Sequence, residues 1–245
     1  LSMGVDVANM SALDWWSLAG TRPNMMTREG FGTLVSHVGR DVPVALSTPA
    51  QTIRWDGNGV AVETAAGTIA ARACIVTVST GVLAGGGIRF DPPLPADREA
   101  ALEGLPMGLL AKIPLKFEGT RFGLSPNEWL SYAATDDRLC YFLAWPFDMD
   151  LMIGWVGGRF GWALSKEPPE AAVDFALGEL RRIFGSDVDR YFVKGTMTQW
   201  ANDPDVRGGY AYQRPGFSGA RAALARPLDQ RLYFAGEATA GALAM

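Results

Sequence analysis

The stretch TIRWDGNGVAVETAAGTIAARACIVTV, residues 52–78, constrains the fold more than any other. β-Branched and apolar residues alternate with polar ones, and turn-forming residues interrupt them twice, at Asp56-Gly57-Asn58-Gly59 and at Ala66-Gly67. Alternation with period two marks strands, and Asn-Gly or Ala-Gly steps between such runs mark tight reversals. The pattern predicts a β-meander with strands over Thr52–Trp55, Val60–Thr64 and Thr68–Val78. The last of these closes on the unbroken apolar run Ile75-Val76-Thr77-Val78, as expected of a strand buried on both faces.

Around the meander the period changes repeatedly. Ser11 is placed to cap a helix over Ser11–Leu18, and a short helix is expected over Gly32–Val38. Pro92, Pro93 and Pro95 break the chain before a helix over Asp97–Leu105. In MGLLAKIPLKF, Ile113, Leu115 and Phe117 alternate with Lys112, Pro114 and Lys116, which predicts a half-buried strand. Further strands are expected at Trp129–Ala133, Leu139–Trp145, Leu151–Val156, Tyr191–Gln199 and Leu232–Ala235. PPEAAVDFALGELRRIFG carries the clearest helical signal, with prolines at its start, Val173, Leu177, Leu180 and Phe184 on one face, and Gly185 as its stop. DPDVRGGYAYQRPGFSG reads as a Gly-rich loop. Strands and helices mix without strict βαβ alternation, so the fold class is mixed α/β, or α+β.

Composition removes several functions. The net charge of −4 and the lack of a basic run exclude a nucleic-acid surface. One histidine, His37, and two distant cysteines, Cys74 and Cys140, build no zinc site, and the cysteines read as small buried hydrophobes. No metal is expected. No run reaches the roughly 18 apolar residues of a membrane span; CYFLAWPFDMDLMIGWVGG is interrupted by Pro146, Asp148 and Asp150. No secretory signal opens the chain, so the expected location is cytoplasmic, with the native N-terminus expected to be missing. Nucleotide fingerprints also fail. The one near-miss to G-x-G-x-x-G, GFGTLV, has Val35 where the third glycine belongs and follows TRE rather than a strand.

Chemistry is carried by strand ends. In LYFAGEAT an apolar strand meets a glycine and then a carboxylate, and ligands in open α/β sheets lie beyond the carboxyl ends of strands. Gly236 permits close approach of backbone to a ligand, and Glu237 can accept hydrogen bonds from hydroxyls. A carboxylate is poor company for a phosphate and suits a ribose or ribityl chain.

Four stretches in order (the meander running into STGVL; IRFDPPLP followed by MGLLAKI; WANDPDVRGGY; LYFAGEAT) resemble the flavin-dependent amine oxidase family, over roughly residues 28 to 240. That family includes monoamine, polyamine and L-amino-acid oxidases and lysine-specific histone demethylases. The resemblance implies FAD as cofactor, an amine as substrate and O2 as oxidant. It places Ala50, Thr77, Val78, Trp200, Gly236, Glu237 and Ala238 against FAD, with Ala50 standing where a main-chain contact to adenine is usual for valine. It makes Lys112 the lysine of an M-G-x-x-x-K segment that reaches a water near flavin N5, and Trp200 and Tyr210 residues of the catalytic site, Tyr210 forming one wall of an aromatic cage that favours a neutral amine. Gly209 stands where monoamine oxidases have a flavin-linking cysteine, so the FAD is expected to be noncovalent.

The resemblance also implies a partial protein. The family opens on a Gly-rich strand–helix unit that seats the pyrophosphate, and it continues beyond G-E-A-T. The expected organisation is a substrate-domain segment at 1–27, a partial FAD-binding domain with the meander at 28–90, a substrate-binding domain with a mixed sheet flanked by helices at 91–200, and a truncated C-terminal part of the FAD-binding domain at 201–245. Such a chain is expected to bind FAD weakly or not at all, and to expose strands 52–78 and 232–235 for self-association. Two other readings remain: a noncatalytic binding module that retains the fold, and another FAD-dependent oxidoreductase of the same architecture. The amine is open. Arg22, Arg54, Arg159 and Arg214 are candidates for a substrate carboxylate, and Glu128 and Asp148 for the cations of a polyamine.

Overall fold

The computed structural model describes residues 4–19, 25–130, 132 and 138–243. Helix α1 (Ala12–Ser17) starts where Ser11 predicts, the Ser11 hydroxyl accepting the Asp14 N–H at 3.3 Å. Helix α2 (Phe31–Val38) carries Phe31, Leu34, Val35 and Val38 in the spacing of a core-facing stripe, yet all four are exposed.

Strands β1 (Ala50–Arg54), β2 (Val60–Thr64) and β3 (Gly67–Ala71) form the antiparallel meander. The single strand predicted over Thr68–Val78 is two strands in the structure. The chain leaves the meander after Ala71 and resumes as β4 (Cys74–Val76), in a different sheet. Burial of β4 on both faces is also not met: Val76 is buried, but Ile75 is 64% exposed. Its sheet has two strands only among the described residues, so one face of Ile75 has no covering layer.

Helix α3 (Thr80–Ala84) follows, capped by the Ser79 hydroxyl. Strand β5 (Arg89–Asp91) then pairs parallel to β1, giving the sheet order β3-β2-β1-β5. Helix α4 (Ala96–Glu103) lies where the sequence places it, shorter by two residues at its end.

Strands β6 (Met107–Gly108) and β7 (Leu110–Phe117) come next, and β7 alternates strictly, with Ala111, Ile113, Leu115 and Phe117 buried. Strands β8 (Glu128–Leu130), β9 (Tyr141–Ala144) and β10 (Leu151–Gly157) join β7 in an antiparallel sheet. Of the strand expected at Trp129–Ala133, Ser131 and Ala133 lie outside the described residues. Helix α5 (Gly158–Leu164) was not legible in its Gly-rich sequence. Helix α6 (Pro169–Phe184) ends at Gly185 with φ 84°, as predicted, and its buried face, including Val173, Leu177 and Leu180, packs on the inner face of the sheet.

The strand expected over Tyr191–Gln199 is shorter. Helix α7 (Val188–Tyr191) takes its start, and β11 (Phe192–Gly195) completes the order β11-β7-β10-β9-β8. Strand β12 (Tyr210–Ala211) pairs with β6. Helix α8 (Ala220–Ala225) forms within the stretch that follows the expected Gly-rich loop, and β13 (Leu232–Phe234) pairs parallel with β4. The architecture is mixed α/β. One core cluster fills the space between the five-stranded sheet and α6; a second gathers the meander, α4, α8 and β13. Both cysteines are free.

Candidate functional site

The parallel register Leu232↔Cys74, Tyr233↔Ile75, Phe234↔Val76 makes β4 and β13 end together. The Ala235 N–H still donates to the Val76 carbonyl at 3.0 Å, so Thr77-Val78 and Gly236-Glu237-Ala238 leave the sheet side by side. Two of the predicted cofactor segments, 158 residues apart in chain between Val78 and Gly236 (236 − 78), are thereby brought together. Gly236 has φ 127° and ψ −168°, a conformation that residues with a Cβ avoid. Only the Thr77 carbonyl oxygen lies near the position a Cβ would take, at 3.7 Å, so the glycine answers to backbone conformation rather than crowding.

Glu237 is held by residues that sequence reasoning missed. Its carboxylate accepts the Ala211 N–H at 2.9 Å and an Arg221 N–H at 3.3 Å. Arg221, buried in α8, also donates to both Asp14 carboxylate oxygens at 2.9 and 3.1 Å and to the carbonyls of Ala211 and Ala238. Asp14 in turn accepts the Gln213 N–H. Asp14 and Arg221 are 4% and 5% exposed. The only sequence signal was an arginine inside an alanine-rich turn of helix, which by itself reads as solvated surface. Burial raises the Glu237 pKa; the Ala211 N–H and the Arg221 charge pull it back without cancelling the rise.

The second group of predicted residues is built around the pairing of β6 with β12, Tyr210 opposite Gly108 and Ala211 opposite Met107. The start of the M-G-x-x-x-K segment and the end of WANDPDVRGGY are therefore one two-stranded unit. Trp200, 44% exposed, opens the turn that leads there, its carbonyl accepting the Gly208 N–H at 2.9 Å. Burial, and then the Glu237 charge, push the Tyr210 phenol up to about 12, so its ring is uncharged at physiological pH. That electrostatic coupling joins the Tyr210 group to the strand-end group.

Lys112 sits on β7 with its side chain on the face opposite the core, directly across from Trp155 on β10. Its ammonium lies 4.8 Å from the centroid of the Trp155 ring, and its main chain exchanges hydrogen bonds with the Thr198 hydroxyl and N–H. Burial lowers its pKa, and it forms no ion pair among the described residues. The Trp155 indole N–H is buried and has no acceptor among them.

Ala50 is not brought to this group by sheet pairing: it begins β1, opposite Thr64, in a separate sheet. GFGTLV opens α2 after a turn, and no strand precedes it among the described residues 25–30. The residues present thus fit part of a flavin: a glycine-opened strand end, a carboxylate for hydroxyls, an unspent indole donor and a half-buried lysine. Nothing among the described residues reads as a pyrophosphate cradle. No group of three His, Cys, Asp or Glu among them is arranged to hold a metal, and no helix among them is long and apolar enough to cross a membrane.

A parallel strand pair that ends on a glycine and an anchored carboxylate, and a separate antiparallel sheet that bears Lys112, make up a two-part, mixed α/β fold. Residues 10–244 match the family described as flavin containing amine oxidoreductase, and the chain belongs to that family. Probable polyamine oxidase 4 of Arabidopsis thaliana is 30% identical over 244 residues, covering 94% of this chain and 47% of the relative. Lysine-specific histone demethylase 1 homolog 3 of the same plant is 33% identical over 173 residues, covering 68% of this chain and 11% of the relative. Among solved structures, cyclohexylamine oxidase from Brevibacterium oxydans IH-35A superposes with a TM-score of 0.78 at 23% identity, over 99% of this chain and 57% of that one. The chain spans about half the length of the polyamine oxidase it matches.

Proposed function

We propose that the chain carries the substrate-facing part and some of the cofactor-facing part of a flavin-dependent amine oxidoreductase. The observation that carries this is the parallel β4–β13 pair, which sets Thr77-Val78 beside Gly236-Glu237 and anchors the carboxylate on Arg221. In this reading 28–90 and 201–245 belong to the FAD-binding domain and 1–27 and 91–200 to the substrate domain. Ala50, Thr77, Val78, Trp200, Gly236, Glu237 and Ala238 hold FAD, noncovalently because Gly209 offers no thiol.

When bound, FAD supplies the two-electron oxidation of the amine to an imine and the return of those electrons to O2 as peroxide. The chain's own residues do the positioning. Tyr210, reached through the turn that Trp200 opens, walls the site with uncharged aromatic surface, which favours the neutral amine, the form with a free lone pair. Lys112, already half desolvated, holds a water for imine hydrolysis and supplies positive charge for the reaction with oxygen. Glu237, fixed by Arg221 and Ala211, would accept hydrogen bonds from hydroxyls of the cofactor's ribose or ribityl chain.

Because no pyrophosphate cradle is present among the described residues, the 245-residue chain alone is expected to hold FAD weakly. The test compares this chain with the product of the complete reading frame that contains it, by visible spectrum and by amine-dependent peroxide formation. Retained flavin and peroxide in the complete product, with little flavin in the chain alone, are expected. A complete product that retains flavin and oxidises no amine overturns the oxidase reading.

A further inference from the structure

Helix α1 is stitched to the segment that carries Glu237. The Ser11 N–H donates to the Gln213 carbonyl at 2.8 Å, and the Gln213 N–H donates back to the Asp14 carboxylate at 3.3 Å. Two residues before Gln213, the Ala211 N–H donates to Glu237 at 2.9 Å. Past Glu237, the Ala242 carbonyl accepts the Ala19 N–H at 2.7 Å. Residues 11–19 therefore meet both the run beside Glu237 and the run after it.

Arg221 joins these pieces, and it divides itself unequally between the two acids. A guanidinium carries its N–H donors in one rigid plane. Nε and Nη2 grip the two Asp14 oxygens side-on at 2.9 and 3.1 Å, and Nη2 also donates to the Ala211 carbonyl at 3.0 Å. Nη1 is left for Glu237 and the Ala238 carbonyl, each at 3.3 Å. The grip of Asp14 fixes the plane, so Nη1 has one direction in which to meet Glu237. Charge follows the same order. The Asp14 side chain, 3% exposed, takes the shorter bonds, and that of Glu237, 34% exposed, takes the longer one. An ionised oxygen makes the stronger hydrogen bond to a hydroxyl, and Asp14 keeps Arg221 from neutralising Glu237 outright.

We infer that Asp14 is a positioning residue of the cofactor site: through Arg221 it sets the direction and the charge of Glu237, and so couples helix α1 to the hold on the flavin's hydroxylated chain. The inference rests on the amine oxidoreductase reading above. Among the described residues, the charged and titrating groups that face Glu237 are Arg221 from α8, Asp14 from α1 and Tyr210 from β12. Burial raises the Glu237 pKa, the Ala211 N–H and Arg221 pull it back, and the Asp14 charge adds to the rise. Removing the Asp14 charge gives Arg221 wholly to Glu237, which lowers that pKa and makes its oxygens poorer acceptors for a hydroxyl.

The experiment titrates FAD into the flavin-stripped product of the complete reading frame and reads affinity by equilibrium dialysis. Asp14→Asn keeps the side-chain shape and is expected to weaken FAD about tenfold, the scale of one hydrogen bond to a charged group. In a Glu237→Gln background the same change is expected to alter affinity less than about twofold. A loss caused by general loosening of the fold is the same in both backgrounds. The acid limb of FAD binding, where protonation of Glu237 weakens the hold, is expected at lower pH in Asp14→Asn than in wild type. Wild type supplies a measurement that does not depend on whether a variant folds: FAD is expected to slow amide hydrogen exchange across Ala12–Ser17. Unchanged FAD affinity in Asp14→Asn, an equal loss in both backgrounds, an unmoved acid limb, or α1 exchange indifferent to FAD overturns the inference and leaves the oxidoreductase reading standing. A complete wild-type product that binds no FAD overturns both.

Discussion

Replacing Arg221 by methionine removes the centre of a buried charge network while keeping much of the side-chain volume. The guanidinium makes five hydrogen bonds: two to Asp14, one to Glu237 and one each to the carbonyls of Ala211 and Ala238. Its side chain is 6% exposed and that of Asp14 3%, so solvent cannot replace those bonds without a local opening. Breaking one partner of a buried pair costs about 3–5 kcal/mol, because the other charge is left uncompensated. The sign with pH follows from Glu237. Its folded pKa is already raised above the 4.5 of a free side chain, and Arg221 works against that rise. Without Arg221 the pKa climbs further. A raised carboxyl pKa favours the folded state below the unfolded value and loses that contribution as pH rises through the folded value. The Arg221→Met deficit is therefore largest near neutrality and shrinks as pH falls toward 4.5. Denaturant unfolding of wild type, Arg221→Met, Asp14→Asn and the double variant at neutral and mildly acidic pH measures this, with the double variant recovering part of the loss by removing the stranded Asp14 charge. A deficit below about 1 kcal/mol, or one that grows on acidification, refutes the assignment of Arg221 as the anchor.

In the flavin-loaded protein, Lys112→Met is expected to slow the oxygen-dependent half-reaction on the order of 10²-fold, measured by stopped-flow reoxidation. The wild-type rate should lose its lysine-dependent limb below the ordinary lysine value of 10.5, because burial lowers the Lys112 pKa. We also expect the 245-residue chain to self-associate through its uncovered apolar rows. Sedimentation should show concentration-dependent dimers or larger species, diminished by Ile75→Lys with Val38→Lys; a monomer at all concentrations rules this out.

What was legible in the sequence was local. Strict alternation from Leu110 to Phe117 fixes which side of β7 faces the core, and therefore places Lys112 on the other side before any coordinates are seen. The glycine turns at 56–59 and 66–67 encode the meander. The break after Ala71 was not legible, because Arg72-Ala73 carries no glycine, proline or other turn signal while the hydrogen-bonding partner changes from β2 to β13. Partner choice over such a separation is decided by tertiary packing, to which strand propensity is blind. Glu237 was legible as a strand-end carboxylate, but its anchor was not. Asp14 looks like an ordinary first-turn acid and Arg221 like a surface residue, and only folding across a separation of 207 residues makes them a buried pair. Helix α8 was hidden for a related reason: Gly216 and Gly219 just before it read as loop, and its helical order comes from packing on α4.

The same reasoning explains the two glycines before Tyr210. Gly208 has φ 147°, and a Cβ on it would sit 2.6 Å from the Met107 Cβ and 3.2 Å from the Gly108 carbonyl oxygen. Gly209 donates its N–H to that same carbonyl at 2.8 Å, and a Cβ there would be 3.3 Å from it. The backbone of this turn approaches β6 so closely that only hydrogen atoms fit between them, and this closeness sets the depth of Tyr210 beside Glu237. Gly208→Ala meets a side chain's first carbon, which cannot swing aside, and adopts a strained φ as well. Strain of this kind costs about 1–3 kcal/mol. The strand must move away from Met107, and Tyr210 moves with it toward solvent. Its phenol, held up to about 12 mainly by burial, should then titrate closer to the ordinary value of 10.0, which tyrosinate absorbance reads directly. A Gly208→Ala protein that loses stability with an unchanged Tyr210 titration would show that the ring is seated by its own packing and that the glycine step serves only the turn.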